Sequence, residues 1–297
     1  MNIEKIKYFI DLVECRNFTE TAKKNFVSQT TISQQIASIE AEFDIQLIDR
    51  KQIPIEPTSA GWLFYGEAIV LWKQYNHMKD KMINFRKAST QTLSIEYAAV
   101  TDIQGLLGII PSFKEKNPNI ILELNKILLK DISEFLQKGI YDVAVAFDSE
   151  FKDKPDIWTH ELYSGQYSAA VNSKHPLFSN AVITKDELYQ YPLVMLNPTV
   201  IGNSYHLMIQ NAIQDGYQAN IQRMVDDVET ELFYIITENL IGFFPDNYNL
   251  TYLKNEVRLI PLEDSHHKYR VEIGYLKENK NQALRVFVNY MKDSFSQ

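Results

Sequence analysis

Residues 17–50, NFTETAKKNFVSQTTISQQIASIEAEFDIQLIDR, decide how the amino-terminal part of this chain folds. Asn17 or Thr19 can cap a short helix from Thr19 to Asn25, because the side-chain oxygen accepts a hydrogen bond from a backbone amide of the first turn. The next helix begins after its own N-cap, Ser28. Its apolar residues recur at steps of four, three and four, at Ile32, Ile36, Ile39 and Phe43. Two short helices joined by a tight turn predict a helix-turn-helix.

A further helix precedes this pair, and a small wing follows it. Near the amino terminus, apolar residues recur at helical spacing, at Ile3, Ile6, Phe9, Ile10 and Val13. This spacing predicts an amphipathic first helix. In the stretch 49–56, Ile53 and Ile55 alternate with other residues around Pro54. The alternation predicts a short strand or wing.

The helix after Ser28 has an uncharged polar face that is suited to reading DNA. The polar residues near its start are Ser28, Gln29, Thr30, Thr31, Ser33 and Gln34. Amide side chains can bind adenine edges in the major groove, and hydroxyls can bind bases or phosphates. Basic residues flank the helix in sequence and are expected to neutralise phosphates: Lys23, Lys24, Arg50 and Lys51. The alternative, a merely solvated polar face, accounts less well for these flanking charges.

A long helix is predicted after the wing, with an apolar seam along it. No proline occurs in residues 62–87, and apolar residues recur at alternating steps of four and three: Phe64, Ala68, Leu71, Tyr75, Met78, Met82 and Phe85. A seam of this length predicts a partner helix and hence a dimer. The alternative is a long helix that packs within its own domain. A short polar linker follows, AST and QT, at residues 88–92.

After residue 92 the pattern changes to strands alternating with helices. The predicted strands are Leu93–Ala99, Ile120–Leu124, Val143–Phe147, Tyr167–Val171, Leu193–Leu196, Ile241–Phe244 and Val271–Tyr275. The predicted helices are Gly105–Lys116, Asp131–Lys138, Tyr205–Gln214, Val228–Glu238 and Gln282–Phe295. This alternation favours parallel sheets covered by helices. About two hundred residues are more than one small sheet needs, so we expect two α/β lobes with a cleft between them.

Composition excludes several classes of protein. The chain has 297 residues, a net charge of −8 and one cysteine, Cys15, so a disulfide framework and a cysteine-based zinc site are excluded. We expect no signal peptide, no membrane association and a cytoplasmic location. The adjacent His266 and His267 have no evident third ligand and are interpreted as a solvated loop. With no phosphate-binding loop and no nucleophile elbow, we expect no catalytic residues, no metal, no cofactor and no enzymatic activity.

The run 17–50, followed by SAG at 59–61, resembles the winged helix-turn-helix of LysR-type transcriptional regulators. The residues that carry the resemblance are Phe18, Ala22, Val27, Ser28, Gln29, Ser33, Ile36, Glu40, Leu47, Arg50, Thr58 and Gly61. The segments GIYDVAV at 139–145 and DVETELFYIITENLIGFFP at 227–245 resemble parts of the family's effector domain. The resemblance implies a sequence-specific DNA-binding transcriptional regulator whose activity is modulated by a small-molecule effector.

The resemblance also implies an order of domains. Residues 1–61 would form the winged helix-turn-helix, and residues 62–90 the linker helix that pairs two subunits. Residues 91–297 would form a two-lobed, periplasmic-binding-protein-like α/β effector domain. Lobe one would comprise residues 91–164 and 268–297, and lobe two residues 165–267.

The implied effector site lies between these lobes. It comprises Ala98, Ala99, Val100, Thr101, Phe147, Asn197, Pro198, Thr199, Val200 and Ile201. The expected partners are double-stranded DNA, a small-molecule effector, further copies of the chain in a homodimer or homotetramer, and RNA polymerase.

The sequence departs from the family pattern at several positions. Gln34 and Glu56 stand where basic residues are frequent, and Ala98 and Val100 replace hydroxyl residues. A regulator that responds to no effector is therefore an alternative within the class. Outside it, the alternative is a solute-binding or enzymatic α/β protein whose helical amino terminus only dimerises it.

Overall fold

The structure, a computed structural model, describes residues 1–86, 91–98, 105–253 and 255–295; for residues 80, 81, 83–86 and 295 it describes the backbone alone. The chain divides into two compact units, Met1–Ala88 and Ser89–Gln297. Of the residues assigned from sequence, Ala99, Val100 and Thr101 lie outside the described residues, as does the side chain of Phe85.

The first unit is a winged helix-turn-helix, as predicted. Its elements are α1 (Ile3–Cys15), α2 (Phe18–Lys24), α3 (Gln29–Phe43), β1 (Ile48–Asp49), β2 (Glu56–Pro57) and α4 (Ser59–Arg86). Asn17 caps α2 by accepting hydrogen bonds from the amides of Thr19 and Glu20. Ser28 caps α3 by accepting one from the amide of Thr31. The two short wing strands pair antiparallel.

The predicted apolar stripes meet in the core of this unit. Phe9 and Leu12 of α1 and Ile32, Ile36 and Ile39 of α3 are fully buried. Burying each such side chain contributes about 1.5–3 kcal/mol. Phe43, the last residue of the predicted stripe, is 46% exposed, and its ring meets the edge of Phe64 at 5.8 Å.

The start of α4 lies close against the chain that enters the wing. A Cβ at position 61 would lie 2.0 Å from the carbonyl oxygen of Leu47. Only glycine permits this approach, because the obstructing atom belongs to the backbone. The SAG segment thus fixes where the long helix begins relative to the wing.

The amino-terminal half of α4 packs against α1 of the same chain. The ring of Phe64 meets that of Phe9 edge-on at 4.9 Å, and Ala68 is buried beside Ile6 and Ile10. Both belonged to the predicted dimer seam, so this is a correction: the alternative of an intradomain helix holds for this half. Farther along, Leu71, Met78 and Met82 are 45%, 54% and 62% exposed. These three stay predictions for a dimer contact.

The second unit is a mixed α/β structure. Its strands are β3 (Gln91–Tyr97), β4 (Ile120–Lys126), β5 (Val143–Phe147), β6 (Ile157–Asn172), β7 (Ile183–Thr184), β8 (Leu193–Leu196), β9 (Ile221–Val225), β10 (Gly242–Pro245), β11 (Val257–Glu263) and β12 (Lys268–Leu276). Its helices are α5 (Ile110–Lys116), α6 (Ile132–Gln137), α7 (Lys185–Leu188), α8 (Pro198–Ile201), α9 (Asn203–Gln214), α10 (Val228–Glu238) and α11 (Gln282–Phe295).

The strand directions correct the expectation of parallel sheets. β3 pairs parallel with β4 and β5, and β8 pairs parallel with β9. β12, however, pairs antiparallel with β5 and β6, and β10 and β11 pair antiparallel with β6. The sheet is mixed because β6 and β12 run between the lobes and pair antiparallel. Parallel pairing would need a crossover connection, usually a helix, between them.

The 16-residue strand β6 runs through both lobes. Its residues up to Gln166 pair with β12, and those from Tyr167 onward pair with β10 and β11. β12 begins at Lys268 and returns the chain to the first lobe. The cleft opens beside these two crossings, between a core around Phe113 and Phe287 and another around Val194 and Ile235.

Candidate DNA-binding surface and effector cleft

The polar residues of α3 form an exposed face opposite its buried stripe. Gln29, Thr30 and Gln34 are exposed, and Ser33, one turn after Gln29, is half-buried. Their side chains make no hydrogen bond among the described residues. The amides and hydroxyls on this face are therefore free to bind another molecule.

Two of the predicted DNA-contacting residues already serve the helix itself. The amide of Thr31 donates to Ser28 Oγ at 3.0 Å, and the two hydroxyls lie 2.8 Å apart. Thr31 is also half-buried. These contacts satisfy the first turn of α3 and place Gln29 and Thr30 at its most accessible end.

Three of the four flanking basic residues are held by carboxylates. Lys23 Nζ lies 2.8 Å from Glu20, and Lys24 Nζ lies 2.7 Å from Asp11 and 2.8 Å from Glu14. Arg50 Nη2 lies 2.7 Å from Glu40. Lys51 is exposed and forms no ion pair among the described residues. Lys51 is thus the cation of this set that is most available for a phosphate.

The carboxylate of Glu40 joins α3 to the wing. Its Oε1 accepts hydrogen bonds from the amides of Leu47 and Ile48, at 2.9 and 3.1 Å, while its Oε2 binds Arg50. Arg50 also lies over the ring of Phe18 at 5.9 Å. The wing is therefore held at a set distance from α3. Glu56, where the family often has a basic residue, forms an ion pair with Arg16.

Asp11 is a buried carboxylate that sequence reasoning missed. Burial by itself would raise its pKa, but hydrogen bonds from Lys24, Lys7 and Asn25 together lower it. The same pairing raises the pKa of Lys24. Lys24 thus connects α2 to α1, in addition to any contact with phosphate.

Two apolar side chains of this unit are exposed almost completely. Phe26, in the turn before α3, is 96% exposed, and Ile53, in the wing, is 99% exposed. Hydrophobic patterning assigns such residues to the core, so it did not identify these two as exposed.

A cavity of ≈ 570 Å³ occupies the cleft of the second unit. Its wall is mainly apolar, and each lobe contributes to it. Of the predicted effector residues, Ala98, Phe147, Val200 and Ile201 line this cavity. Asn197, Pro198 and Thr199 do not: the Asn197 side chain accepts from the amide of Thr199 and caps α8. This part of the predicted site is thus a structural cap beside the cavity.

Several cavity residues were not found from the sequence. Leu128, Met195, Met208 and Phe243 supply much of the apolar wall. They come from segments far apart in the chain, so no local pattern connects them. Asp227 and Glu229 lie at the start of α10. Asp227 accepts from the amide of Thr230 as the N-cap of α10, and both residues line the cavity.

Glu231 is the most unusual residue of the cavity wall. It is only 3% exposed, and burial raises the pKa of its carboxyl well above the usual value. The signal in the sequence is its place one turn before Ile235, on the apolar face of α10. A second buried acid, Glu150, accepts at 3.1 Å from the amide of Ser204, which also lines the cavity.

His266 and His267 are not the solvated loop that the sequence suggested. His266 is exposed, with Nδ1 2.5 Å from Asp215, but His267 is buried. Its Nε2 lies 2.5 Å from the Tyr189 hydroxyl. Burial lowers the pKa of His267 to about 4, even though Asp215 acts in the opposite direction. The described residues contain no group of three or more potential metal ligands.

Two family models match the chain. The model for bacterial regulatory helix-turn-helix proteins of the lysR family matches residues 3–62. The model for the LysR substrate binding domain matches residues 87–296. The chain belongs to the LysR family. It is a DNA-binding transcriptional regulator with an effector-binding domain, which confirms the function predicted from the sequence.

Relatives of this LysR-family regulator include characterised transcriptional regulators. It is 22% identical over 302 residues to the Hca operon transcriptional activator HcaR of Escherichia coli (strain K12), covering 99% of this chain and 98% of that protein. It is 31% identical over 180 residues to the regulator BenM of Acinetobacter baylyi (strain ATCC 33305 / BD413 / ADP1), covering 60% and 57%.

The fold matches that of full-length family members. Full-length CbnR complexed with its target DNA has a TM-score of 0.70 to this LysR-family regulator, with 19% identity over 100% of both chains. Among the described residues, no helix of the regulator has the length and apolar character needed to cross a membrane.

Proposed function

We propose that this regulator reads its operator as a dimer with the exposed face of α3, and that it responds to a small molecule in the cleft cavity. The observation that carries the proposal is the uncharged, unpartnered polar face of Gln29, Thr30, Ser33 and Gln34. Side chains of this kind match base edges in the major groove. Two copies of α3 would enter major grooves one or more helical turns apart.

In this proposal, Lys51 is the main contact to phosphate. The other phosphate contacts are Lys23, Lys24 and Arg50. The last three hold carboxylates in the free protein, so phosphate binding would share or displace those pairs. Ser28 and Thr31 then act mainly by holding the start of α3 at the groove. The chain has an overall negative charge, so affinity depends on this local surface rather than on bulk charge.

The dimer contact on this proposal is the carboxy-terminal half of α4. Leu71, Tyr75, Met78 and Met82 follow one another at heptad spacing, and three of the four side chains are largely exposed. An unpartnered apolar stripe of this kind is stabilised when a second copy covers it. A tetramer through the second units is a further assembly of the same regulator.

We infer that the protein acts in the cytoplasm and carries out no catalysis. Its DNA target and its single free cysteine fit that location. Gene control would proceed through a change in how the dimer lies on DNA, with RNA polymerase as the downstream partner. The effector in the cavity would bias that arrangement by its different affinity for the two states.

The first experiment is a footprint of the purified protein on the DNA that flanks its own gene, at stated salt and with excess competitor DNA. We expect protection of two half-sites one or more helical turns apart. A variant in which Lys51 is replaced by Ala should protect less at every sequence, with a shallower salt dependence. The absence of protection on this DNA and on genomic fragments at low salt would contradict the proposal.

A further inference from the structure

Glu231 places a carboxyl group without a partner in the wall of the cleft cavity. Its side chain is 97% removed from solvent, since only 3% of it is exposed. Position 242 leaves room for it: a Cβ there would lie 3.1 Å from Glu231 Oε1. Among the described residues, no hydrogen bond or ion pair satisfies this carboxyl group. It therefore faces the cavity as an unused polar group.

An unpartnered charge at this position is unfavourable, so burial favours the protonated form of Glu231 in the free protein. Burial without a counter-ion disfavours the ionised carboxylate, and it raises the pKa of Glu231 well above the usual value. A cation in the cavity would favour the ionised form of Glu231, because a nearby opposite charge stabilises a carboxylate.

The other charges of the described cavity wall are mostly acidic. Asp227 and Glu229 line the cavity with Glu231, and Lys126 is the one basic residue of this lining. Burial raises the pKa of the Tyr248 hydroxyl in the same wall, and Tyr252 and Glu229 act in the same direction. A carboxylate ligand would meet repulsion here.

Three helix starts among the described residues of the cleft are already occupied by the protein's own side-chain oxygens. Asp227 accepts from the amide of Thr230 at 2.7 Å, and Asn197 accepts from that of Thr199 at 3.1 Å. Glu150 accepts from the amide of Ser204 at 3.1 Å. These backbone amides of the described part of the cleft are therefore not available to bind the carboxylate of a ligand.

We propose that the effector of this regulator is an amine: an apolar body with a protonated amino group that donates hydrogen bonds to the carboxylate of Glu231. On binding, Glu231 releases its proton to solvent and the ligand's ammonium group replaces it as the partner. The inference rests on the proposed function, because it takes the cleft cavity as the effector site. Leu128, Met195, Met208 and Phe243 would cover an aryl or alkyl body, and the cavity volume is typical of small-molecule sites.

The test uses isothermal titration calorimetry of the full chain with arylalkylamines of increasing length, from benzylamine to 4-phenylbutylamine. The matched carboxylates and alcohols are titrated in parallel, at about pH 6, in two buffers of different ionisation enthalpy. We expect at least one amine to bind at least tenfold more tightly than its matched carboxylate and alcohol. Proton release should accompany binding, because these amines, like lysine, stay protonated at this pH.

Two variants separate the role of Glu231 from general effects. E231Q keeps the size of the side chain but cannot ionise, so we expect at least a tenfold loss of amine affinity and no proton release. E238Q makes the same chemical change on the same helix, at an exposed residue outside the cavity lining. It should bind the amine as the parent does.

The proposal is wrong if the carboxylates or alcohols bind as tightly as the amines, if no amine binds, or if amine binding releases no proton. It is also wrong if E231Q binds amines unchanged. The footprint distinguishes this failure from failure of the proposed function. If the footprint shows protection but no amine binds, only the proposed ligand class is wrong. If an amine binds but no DNA is protected, only the proposed DNA readout is wrong.

Discussion

Gln29 and Lys24 both lie in the helix-turn-helix, but their surroundings give them different tasks. Gln29 is exposed at the start of α3 with its amide free, whereas Lys24 is held between Asp11 and Glu14. Replacing Lys24 would therefore disturb the packing of α2 on α1 as well as any phosphate contact. Gln29 is the better residue for a test of base readout.

We predict that Gln29→Ala weakens binding to the specific operator by about 1–3 kcal/mol and leaves non-specific binding nearly unchanged. The reason is that an amide side chain gains its discrimination from the base edge and not from the phosphates. Competition binding on operator and random DNA measures both quantities. Gln35→Ala, on another side of α3, is the control, and an equal loss on both DNAs would contradict the role in base readout.

His267 shows how burial changes a residue that looks ordinary in sequence. Its ring lies over Phe243 at 4.7 Å, and it is 1% exposed. Its pKa of about 4 is well below the ordinary histidine value. The unfolded chain therefore binds a proton at this residue at a pH where the folded chain does not.

We predict that the free energy of unfolding falls as the pH drops from about 6.5 to about 4, with about 3 kcal/mol attributable to His267. Above this window the residue is neutral in both states and contributes no slope. Urea unfolding across the pH range measures the effect, and His267→Gln should flatten that part of the profile. An unchanged slope in the variant would assign the effect to other groups.

The helix α4 has two halves with different surroundings. Its first half completes the core of the amino-terminal unit through Phe64 and Ala68. Its second half exposes the apolar stripe that contains Leu71, Met78 and Met82. A heptad pattern alone cannot distinguish these halves, because an apolar residue packs as well on its own domain as on a second copy.

We predict that Met78→Glu raises the dissociation constant of the dimer at least tenfold, because the seam would bury one carboxylate from each subunit. Sedimentation equilibrium of the full chain measures the constant. Asn76→Glu adds the same charge on the other side of α4 and should leave the dimer intact. Equal dissociation by both variants would point to a contact elsewhere.

The whole molecule consists of two units, each with its own core. The buried clusters around Phe9 and Ile32 lie within the first unit, and those around Phe113, Ile183 and Val194 lie within the second. None of these clusters of described residues combines side chains from both units. Each unit therefore has its own hydrophobic core, as a domain that can fold alone does.

We therefore predict that residues 1–88 and residues 89–297 fold separately. Each fragment should show the circular dichroism expected from its elements and a cooperative thermal transition. The first contains α3 and the α4 stripe of the proposed dimer contact, so it should still bind operator DNA, and it should show no response to amines. A fragment 89–297 that fails to unfold cooperatively would indicate that the second unit depends on the first.

Much of this molecule could be predicted from local patterns. The bounds of β5, α10 and α11 agree with those read from the sequence, because their apolar periodicity lies within a single segment. The caps at Asn17 and Ser28 were visible for the same reason. β9 and β11 were missed because exposed polar residues interrupt both strands, at Arg223 and Arg258 for example.

The sequence by itself determined the order of elements, the helix-turn-helix and its polar reading face, since each depends on contacts between near neighbours in the chain. Only the tertiary structure decided the rest. It set the strand directions around β6 and β12, paired Lys24 and Arg50 with carboxylates, and turned Glu231 into a buried acid in a cavity. Those outcomes depend on residues far apart in sequence, and burial and charge pairing exist only once the chain has brought them together.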